Sequence, residues 1–249
     1  MDTPLPSRPS NGQHSAQGGQ ASGRRTNSIN EQTTGKNVQS SDVMPSQDEL
    51  AQAFKIPILD TDGKERLFAD LFDNSNASEK RQVMVVFVRH FFCGSCQDYV
   101  ATLSSSIPSP ASLPPGVNLV VIGCGASSLI SMYANTTSCS FPIYTDPTGR
   151  LYSIFGMTRT LTLGPMPDYL RHSTFSLVIK GIRQGLGRTF NGDALKSGNM
   201  AQVGGEFFFE IGPEKENEKQ DITVTWCHRM KTTRDHIEVP ALKRVMGFE

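Results

Sequence analysis

Two continuous apolar runs, 83–88 and 118–123, constrain the fold of this chain more than any other feature of its sequence. Each run is rich in β-branched residues, a pattern typical of a strand that is covered on both faces. Residues 93–105 lie between the runs and have the spacing of a helix, with Cys96 on its apolar stripe. A strand, a helix and a second strand in this order predict a parallel pair of strands at the centre of a sheet.

Weaker patterns continue the alternation of strands and helices along the chain. We predict a strand at 56–60, a helix near 126–135, a strand at 143–145, a helix carrying Leu151, a helix over 168–186, a hairpin of 205–211 with 222–226, and a final helix carrying Leu242. The predicted fold class is therefore α/β, with a central mixed sheet flanked by helices.

Residues 1–45 differ in composition from the rest of the chain. They are mainly Ser, Gln, Gly, Asn, Thr and Pro, and the first aromatic residue is Phe54. Such a segment buries too little apolar surface to offset the entropy of ordering it, so we predict a disordered N-terminal tail. Order is expected to begin at Ser46, because Ser46 and Glu49 have the spacing of a capping box. The expected organisation is a tail at 1–45 and one domain at 46–249.

Charge and hydropathy argue against some partners. Lys plus Arg and Asp plus Glu number 24 each, so the net charge of zero gives no general attraction to nucleic acid or to an anionic membrane. No apolar stretch reaches the roughly 20 residues of a membrane-spanning helix. The first residues lack the basic and apolar regions of a secretory signal, so we expect the cytoplasm. Organelle import stays open, because Arg8, Arg24 and Arg25 have few acidic neighbours.

The chain has five cysteines, two of which are close in sequence. They are Cys93, Cys96, Cys124, Cys139 and Cys227. An odd number with uneven spacing, in a chain without a predicted signal, does not fit a secreted disulfide framework. In a reducing compartment a close pair is more often catalytic or metal-binding.

Cys93 and Cys96 form a C-x-x-C motif where a predicted central strand passes into a helix. Free backbone N–H groups and the positive end of the helix dipole stabilise a thiolate at such a position. Arg89 and His90 add positive charge nearby, and each effect lowers a thiol pKa from its usual value of about 8.5. Because Cys96 lies on the apolar stripe, we expect Cys96 to be buried and Cys93 to be exposed at the start of the helix.

These positions predict the roles of the two thiols. Cys93 is expected to be the nucleophile and Cys96 the resolving thiol. A peroxide would oxidise Cys93 to a sulfenic acid, which Cys96 condenses to a disulfide. A disulfide substrate would form a mixed disulfide with Cys93, which Cys96 then breaks. The predicted catalytic residues are Cys93, Cys96, Arg89 and His90, with no bound metal.

Other interpretations of the pair stay open. It is half of a zinc site if a second close pair joins it, and Cys227–His228 is the adjacent pair in the sequence. Alternatively, it is an inert remnant on a redox fold. His90 is then only a residue at the end of a strand.

The remaining candidates have simpler interpretations. Cys124 and Cys139 are expected to be ordinary buried thiols, and His228 and Arg229 surface groups on the hairpin. Gly204–Gly205 precedes a strand rather than a helix, which indicates close backbone packing or a bulge and not a phosphate loop.

Several stretches resemble the peroxiredoxin-like AhpC/TSA antioxidant branch of the thioredoxin superfamily. They are Val-Val-Phe-Val-Arg-His-Phe-Phe-Cys-Gly-Ser-Cys at 85–96, the segment 141–157, and Gln-Val-Gly-Gly-Glu-Phe at 202–207 followed by Cys-His-Arg at 227–229. The resemblance spans roughly 50–249 and implies a thioredoxin-like fold. It also implies a peroxide or thiol–disulfide oxidoreductase without a bound cofactor, served by a thiol reductant such as thioredoxin or glutathione.

Three positions depart from the motifs of that superfamily. Peroxiredoxins resemble one another in a P-x-x-x-[T/S]-x-x-C loop, where this chain has Val86 and His90 in place of Pro and Thr. Thioredoxins resemble one another in W-C-G-P-C, where Ser95 replaces Pro. Two functions follow from these observations. One is a thiol oxidoreductase, and the alternative is a non-enzymatic thioredoxin-like module with regulatory or interaction roles.

Overall fold

The two predicted central strands lie side by side in one sheet. This computed structural model describes residues 42–73, 81–171, 196–213 and 221–248. The strands are β1 (Pro57–Leu59), β2 (Glu65–Leu67), β3 (Arg81–Phe87), β4 (Val117–Gly123), β5 (Ile143–Thr145), β6 (Gly205–Ile211) and β7 (Ile222–Arg229). The α-helices are α1 (Gln47–Ala53), α2 (Gly94–Ser106), α3 (Ile130–Thr137), α4 (Arg150–Ile154), α5 (Asp168–Arg171) and α6 (Val239–Val245).

Within those residues the seven strands form one mixed sheet in the order β2-β1-β5-β4-β3-β6-β7. β3, β4 and β5 run parallel, since α2 and α3 cross over between successive members. β6 pairs antiparallel with β3 and continues into β7, while β1 and β2 complete the other edge. The predicted α/β class, with a central mixed sheet and flanking helices, is confirmed, and the arrangement is thioredoxin-like.

Both faces of β3 are buried, which explains its uninterrupted apolar sequence. Met84 and Val86 belong to one core layer, and Val83 and Val85 to the other. Successive side chains of a strand point to opposite faces, so a strand covered on both sides needs an apolar residue at every position. Burying one such side chain stabilises the fold by about 1.5–3 kcal/mol.

The sheet separates the two core layers. The layer that we call the site layer lies between the sheet and α2, α3 and α6, and it contains Cys93 and Cys96. The opposite layer lies under α1 and α4 and contains Leu50, Leu151 and Cys227. Cysteines that looked equivalent in the sequence therefore lie on different sides of the sheet.

The capping box predicted from Ser46 and Glu49 is present at the start of α1. Ser46 Oγ accepts a hydrogen bond from the Glu49 N–H at 3.3 Å, and the Glu49 carboxylate accepts one from the Ser46 N–H at 2.7 Å. These two bonds satisfy backbone donors that a helix start otherwise leaves unpaired.

The chain before Ser46 also contacts the domain. The Arg229 N–H donates to the Asp42 carboxylate at 2.6 Å, and the Arg229 guanidinium donates to the Val43 carbonyl at 2.7 Å. Residues 42–45 were predicted to belong to the tail, and the boundary between tail and domain stays a prediction. The predicted tail up to residue 41 lies outside the described residues.

The other predicted elements agree with the structure at the level of type and order. The helix predicted over 168–186 coincides with α5 at Asp168–Arg171, and its remainder lies outside the described residues. The helix predicted near 126–135 consists of a 3₁₀ turn, Ser127–Leu129, and α3. In the parts of the chain that the structure describes, no helix is long and apolar enough to span a membrane.

Gly204 and Gly205 lead into β6 next to the end of β3. A Cβ atom at Gly204 would overlap the carbonyl oxygen of Phe87, and one at Gly205 would lie 2.5 Å from the carbonyl oxygen of His228. The predicted close backbone packing is therefore confirmed. It brings the next residue, Glu206, directly beside the site.

Candidate active site

The Cys93–Cys96 pair lies at the carboxyl end of β3, where the chain turns into α2. Cys93 is the N-cap residue of α2, and its N–H donates to the His90 carbonyl at 3.0 Å. Its own carbonyl accepts from the Gln97 N–H at 2.9 Å, which closes the first helical turn. The thiol therefore lies at the positive end of the helix dipole, as predicted.

Cys93 is buried, so the expectation of an exposed nucleophile is wrong. Only 4% of the residue is exposed. Arg89 lies against it, with Nη1 3.2 Å from Sγ, and the carbonyl oxygens of Gln202 and Met200 accept hydrogen bonds from the same guanidinium. The apolar stripe predicts only which residues of α2 face the core. Cys93 is instead covered by Arg89 and by the loop that carries Met200 and Gln202, which is distant in the sequence. Cys96 is fully buried, as predicted.

The surroundings of Cys93 hold its pKa well below the usual value for a thiol. The largest cause is a hydrogen bond from the Cys96 thiol, which stabilises the thiolate. Burial opposes this effect, but the charge of Arg89, a contact of 3.2 Å with Ser95 Oγ and the charge of His90 all lower the pKa. These surroundings therefore favour the thiolate, which is the nucleophilic form, more than those of an ordinary thiol do.

Cys96 is shifted in the opposite direction. Burial raises its pKa well above the usual value, and the hydrogen bond to Cys93 and the charge of that neighbour raise it further. The surroundings of the pair thus favour the ionised form of one thiol and the protonated form of the other. This asymmetry matches the predicted assignment of Cys93 as the attacking thiol.

His90 and Arg89 lie beside Cys93, as predicted, and both are buried. Burial lowers the pKa of His90, although the negative charge of Cys93 partly opposes that shift. The ring of His90 is therefore less readily protonated than an ordinary imidazole. Its Nδ1 atom has no hydrogen-bond partner within the described ranges.

A chain of polar side chains behind Cys96 was not predicted. His236 Nε2 lies 3.3 Å from Cys96 Sγ, and His236 Nδ1 lies 2.6 Å from one carboxylate oxygen of Glu206. The other oxygen of Glu206 lies 2.9 Å from Nδ1 of His228. His236 and Glu206 have fully buried side chains, whereas the side chain of His228 is 17% exposed.

One feature of the sequence indicates the polar side chains behind Cys96. Glu206 is the second residue of the segment Gly-Glu-Phe-Phe-Phe, and it places a charge in an otherwise apolar strand. A buried carboxylate requires hydrogen-bonding partners, so its position predicts a polar neighbour without naming it. His228 was expected to be a surface group, and the structure instead places its ring against Glu206.

The other cysteines are separate from this pair. Cys124 donates to the Arg89 carbonyl at 2.8 Å, and burial raises its pKa to about 11. Burial also raises the pKa of Cys139. Both are therefore weakly nucleophilic, in line with the interpretation as ordinary thiols.

A zinc site at Cys93 and Cys96 would require Cys227 and His228 as a second pair of ligands, and Cys227 does not lie beside the first pair. Cys227 lies in the opposite layer, across the sheet from the Cys93–Cys96 pair. Among the described residues, no group of three His, Cys, Asp or Glu side chains is arranged to hold a metal ion.

Known proteins resemble this chain along most of its length. Human Peroxiredoxin-like 2C is 29% identical over 203 residues, which cover 80% of both chains. The Arabidopsis thaliana protein called thioredoxin-like protein AAED1, chloroplastic, is 26% identical over 162 residues, or 65% of this chain and 60% of that one. Among solved structures, the Xanthomonas campestris bacterioferritin comigratory protein covers 84% of this chain and 97% of its own, at 11% identity and a TM-score of 0.45.

A family model also matches the second half of the sheet and its helices. The model describes the AhpC/TSA antioxidant enzyme and matches residues 102–232, which is more than half of the chain. The matched segment includes Glu206 and His228 but begins after Cys96. Roles for the two cysteines therefore depend on the geometry described above, while the family itself is shown: this peroxiredoxin-like, thioredoxin-fold chain belongs to the AhpC/TSA antioxidant enzyme family.

Proposed function

We propose that this protein is a thiol-dependent peroxidase in which Cys93 attacks the peroxide and Cys96 resolves the product as a disulfide. The observation that carries the proposal is the contact of 3.2 Å between Arg89 Nη1 and the Cys93 thiol at the start of α2. A helix N-terminus and a buried guanidinium together favour the thiolate that a peroxidase needs. Membership of an antioxidant enzyme family supports the choice of a peroxide as substrate.

The proposed reaction has two chemical steps. The Cys93 thiolate attacks one peroxide oxygen, the O–O bond breaks, and the released alkoxide or hydroxide takes up a proton, which leaves Cys93 as a sulfenic acid. Cys96 sulfur then attacks Cys93 sulfur, a disulfide forms, and the hydroxyl leaves as water. A thiol reductant, such as thioredoxin or glutathione, returns two electrons and regenerates both thiols.

The burial of Cys93 favours a peroxide over a protein disulfide as the oxidant. A protein disulfide must bring its sulfur into line with the attacking sulfur, which requires an open surface around Cys93. Hydrogen peroxide has two heavy atoms and needs far less room. Ser95 Oγ, 3.2 Å from Cys93 Sγ, supplies the hydroxyl that the family motif places at the position of His90. We include His90 in the site as a buried group next to the thiolate.

The test is consumption of hydrogen peroxide by the reduced protein in the presence of a thiol reductant. We expect Cys93→Ser to abolish consumption, since the pKa of Cys93 is lowered whereas those of Cys96, Cys124 and Cys139 are raised. Cys124→Ser is the matched control, because it also replaces one buried sulfur, and we expect it to retain activity. Equal consumption by Cys93→Ser and the wild-type protein would disprove the proposal.

The burial of Cys93 also favours a second candidate, a non-enzymatic thioredoxin-like module. In that case Cys93 would titrate with an ordinary thiol pKa and would not turn over. Thiolate absorbance measured against pH, in the wild-type protein and in Cys93→Ser, separates the two candidates. A thiolate that persists well below about pH 8.5 and disappears in Cys93→Ser favours the peroxidase.

A further inference from the structure

The second chemical step requires a proton acceptor next to Cys96. Cys96 is fully buried and its pKa is raised, so the thiol carries its proton when the reaction begins. A protonated sulfur is a poor nucleophile. Resting Cys96 donates its hydrogen bond to the Cys93 thiolate, but that acceptor loses its charge once a peroxide has converted Cys93 to a sulfenic acid.

The acceptor that remains within reach is a histidine nitrogen. His236 Nε2 lies 3.3 Å from Cys96 Sγ, within the range of a hydrogen bond to sulfur. The ring of His236 stacks on Tyr99, with ring centres 4.3 Å apart and planes 4° from parallel, which fixes the direction of Nε2. A merely space-filling ring would not need this orientation.

Glu206 determines which nitrogen of His236 carries the proton. Its carboxylate lies 2.6 Å from His236 Nδ1, and a carboxylate can only accept a hydrogen bond. Burial raises the pKa of Glu206, but its interactions with His236 and His228, hydrogen bonds from both among them, outweigh burial, so the pKa is lowered overall. An ionised Glu206 therefore holds the hydrogen on Nδ1 and leaves the lone pair of Nε2 directed at the thiol.

His228 connects the polar side chains behind Cys96 to the surface. Its Nδ1 atom lies 2.9 Å from the second oxygen of Glu206, and its side chain is partly exposed. Burial lowers the pKa of His228, but its hydrogen bond to Glu206 and the charge of that carboxylate more than offset this effect, so the pKa is raised. His228 thus provides the second hydrogen-bond partner that the buried carboxylate of Glu206 needs, on the side of Glu206 that faces solvent.

Other titratable groups face the same cluster. Tyr99 and Tyr169 lie within its electrostatic range, and burial raises the pKa of both phenols, so they stay neutral near neutral pH. Asp235 contributes negative charge next to His228, and Glu238 lies near Tyr99. On the other side Arg89 lies close to Cys96 and provides the positive charge that faces the pair.

We propose that Cys96, His236, Glu206 and His228 form a proton relay that activates the resolving thiol. This inference depends on the proposed function, because it concerns the second step of that reaction. As the bond between the sulfurs of Cys96 and Cys93 forms, the Cys96 proton moves to His236 Nε2. The S–O bond of the sulfenic acid breaks, and the leaving hydroxide takes up the proton that Cys96 gave to His236, so the products are a disulfide and water. His236 is the catalytic base, and Glu206 is a positioning residue that acts through it.

Stopped-flow fluorescence of the full chain separates the two steps. The single tryptophan, Trp226, lies in the site layer with both cysteines, so we expect its fluorescence to change when they are oxidised. The first phase should scale with the concentration of hydrogen peroxide, and the second should not. We expect His236→Gln to slow the second phase by about 100-fold or more, the usual range for loss of a general base, and to leave the first phase within about twofold.

The pH dependence of the second phase distinguishes a base from a structural side chain. In His236→Gln only the Cys96 thiolate present in solution equilibrium reacts, so its second phase should rise about tenfold per pH unit above pH 7. The wild-type second phase should rise less steeply. Glu206→Gln, which keeps the size and removes the charge, should also slow the second phase and make it steeper with pH.

Tyr133→Phe is the matched control, since the Tyr133 hydroxyl donates to the Cys96 carbonyl at 3.2 Å but plays no part in the relay. We expect it to leave the pH profile of the second phase unchanged. A normal first phase with an unaltered second-phase rate and pH profile in His236→Gln overturns the relay and leaves the peroxidase proposal intact. Absence of a first phase in the wild-type protein overturns both. If His236→Gln does not fold, the same comparison is made with Glu206→Gln, and an unchanged second phase there also overturns the relay.

Discussion

At the scale of single residues, Cys93 and Cys96 differ because their neighbours differ. Cys93 contacts Arg89 and Ser95 and accepts a hydrogen bond from its partner thiol, and together these hold its pKa low. Cys96 is fully buried, donates a hydrogen bond to Cys93 and has that negative neighbour, and all three raise its pKa. The chemical asymmetry of the pair therefore depends on the hydrogen bond between the two thiols and on the side chains around them.

Arg89 is the neighbour whose charge can be removed most directly. We expect Arg89→Met to raise the pKa of Cys93 and to slow its oxidation by hydrogen peroxide at neutral pH by at least about tenfold, which corresponds to one pKa unit. Arg89→Lys keeps the charge and should lose less. Thiolate absorbance against pH, with Cys93→Ser as the reference, checks the shift. An unchanged titration of Cys93 in Arg89→Met would show that the guanidinium has no such role.

Residues close in sequence were predictable, and distant ones were not. Arg89, His90 and the cysteine pair lie within eight positions of one another, so a strand followed by a helix brings them together. His236 lies 140 positions from Cys96 and 30 from Glu206. Only the closure of the sheet brings these three together, and the cover over Cys93 depends on the same long-range closure.

At the scale of elements, the end of β3 and the start of β6 position the site. Gly205 pairs with Phe87 in this register, and Glu206 pairs with Val86 on one side and with His228 on the other. The side chain of Glu206 is thereby aligned with His228 across the hairpin. The apolar runs predicted β3 and β4, but this register depends on close backbone contact at Gly204.

Gly204→Ala tests that contact. Because the added methyl group would collide with the Phe87 carbonyl, the strand ends must separate, and we expect a loss of about 3 kcal/mol or more in the free energy of unfolding. Gly149→Ala is the control, since Gly149 has a positive φ of 66° but open space around it and should lose only about 1 kcal/mol. Urea unfolding of both variants measures the difference. Equal losses would indicate that close packing at Gly204 contributes nothing.

At the scale of the whole molecule, the sheet separates two of the other cysteines from the Cys93–Cys96 pair. Cys93 and Cys96 share the site layer, whereas Cys124 and Cys227 lie in the opposite layer. Composition and periodicity predicted the α/β class and the parallel centre of the sheet. They could not predict the division of the cysteines, because it depends on which face of each strand is covered by which helix.

The most direct test of this account is identification of the disulfide that forms after one equivalent of hydrogen peroxide is added to the reduced protein. Peptide mapping by mass spectrometry should find a bond between Cys93 and Cys96, with Cys124, Cys139 and Cys227 still reduced. In Cys96→Ser it should find Cys93 as a sulfenic acid. Oxidation that leaves Cys93 unmodified, or a disulfide that joins any other pair, would contradict the account.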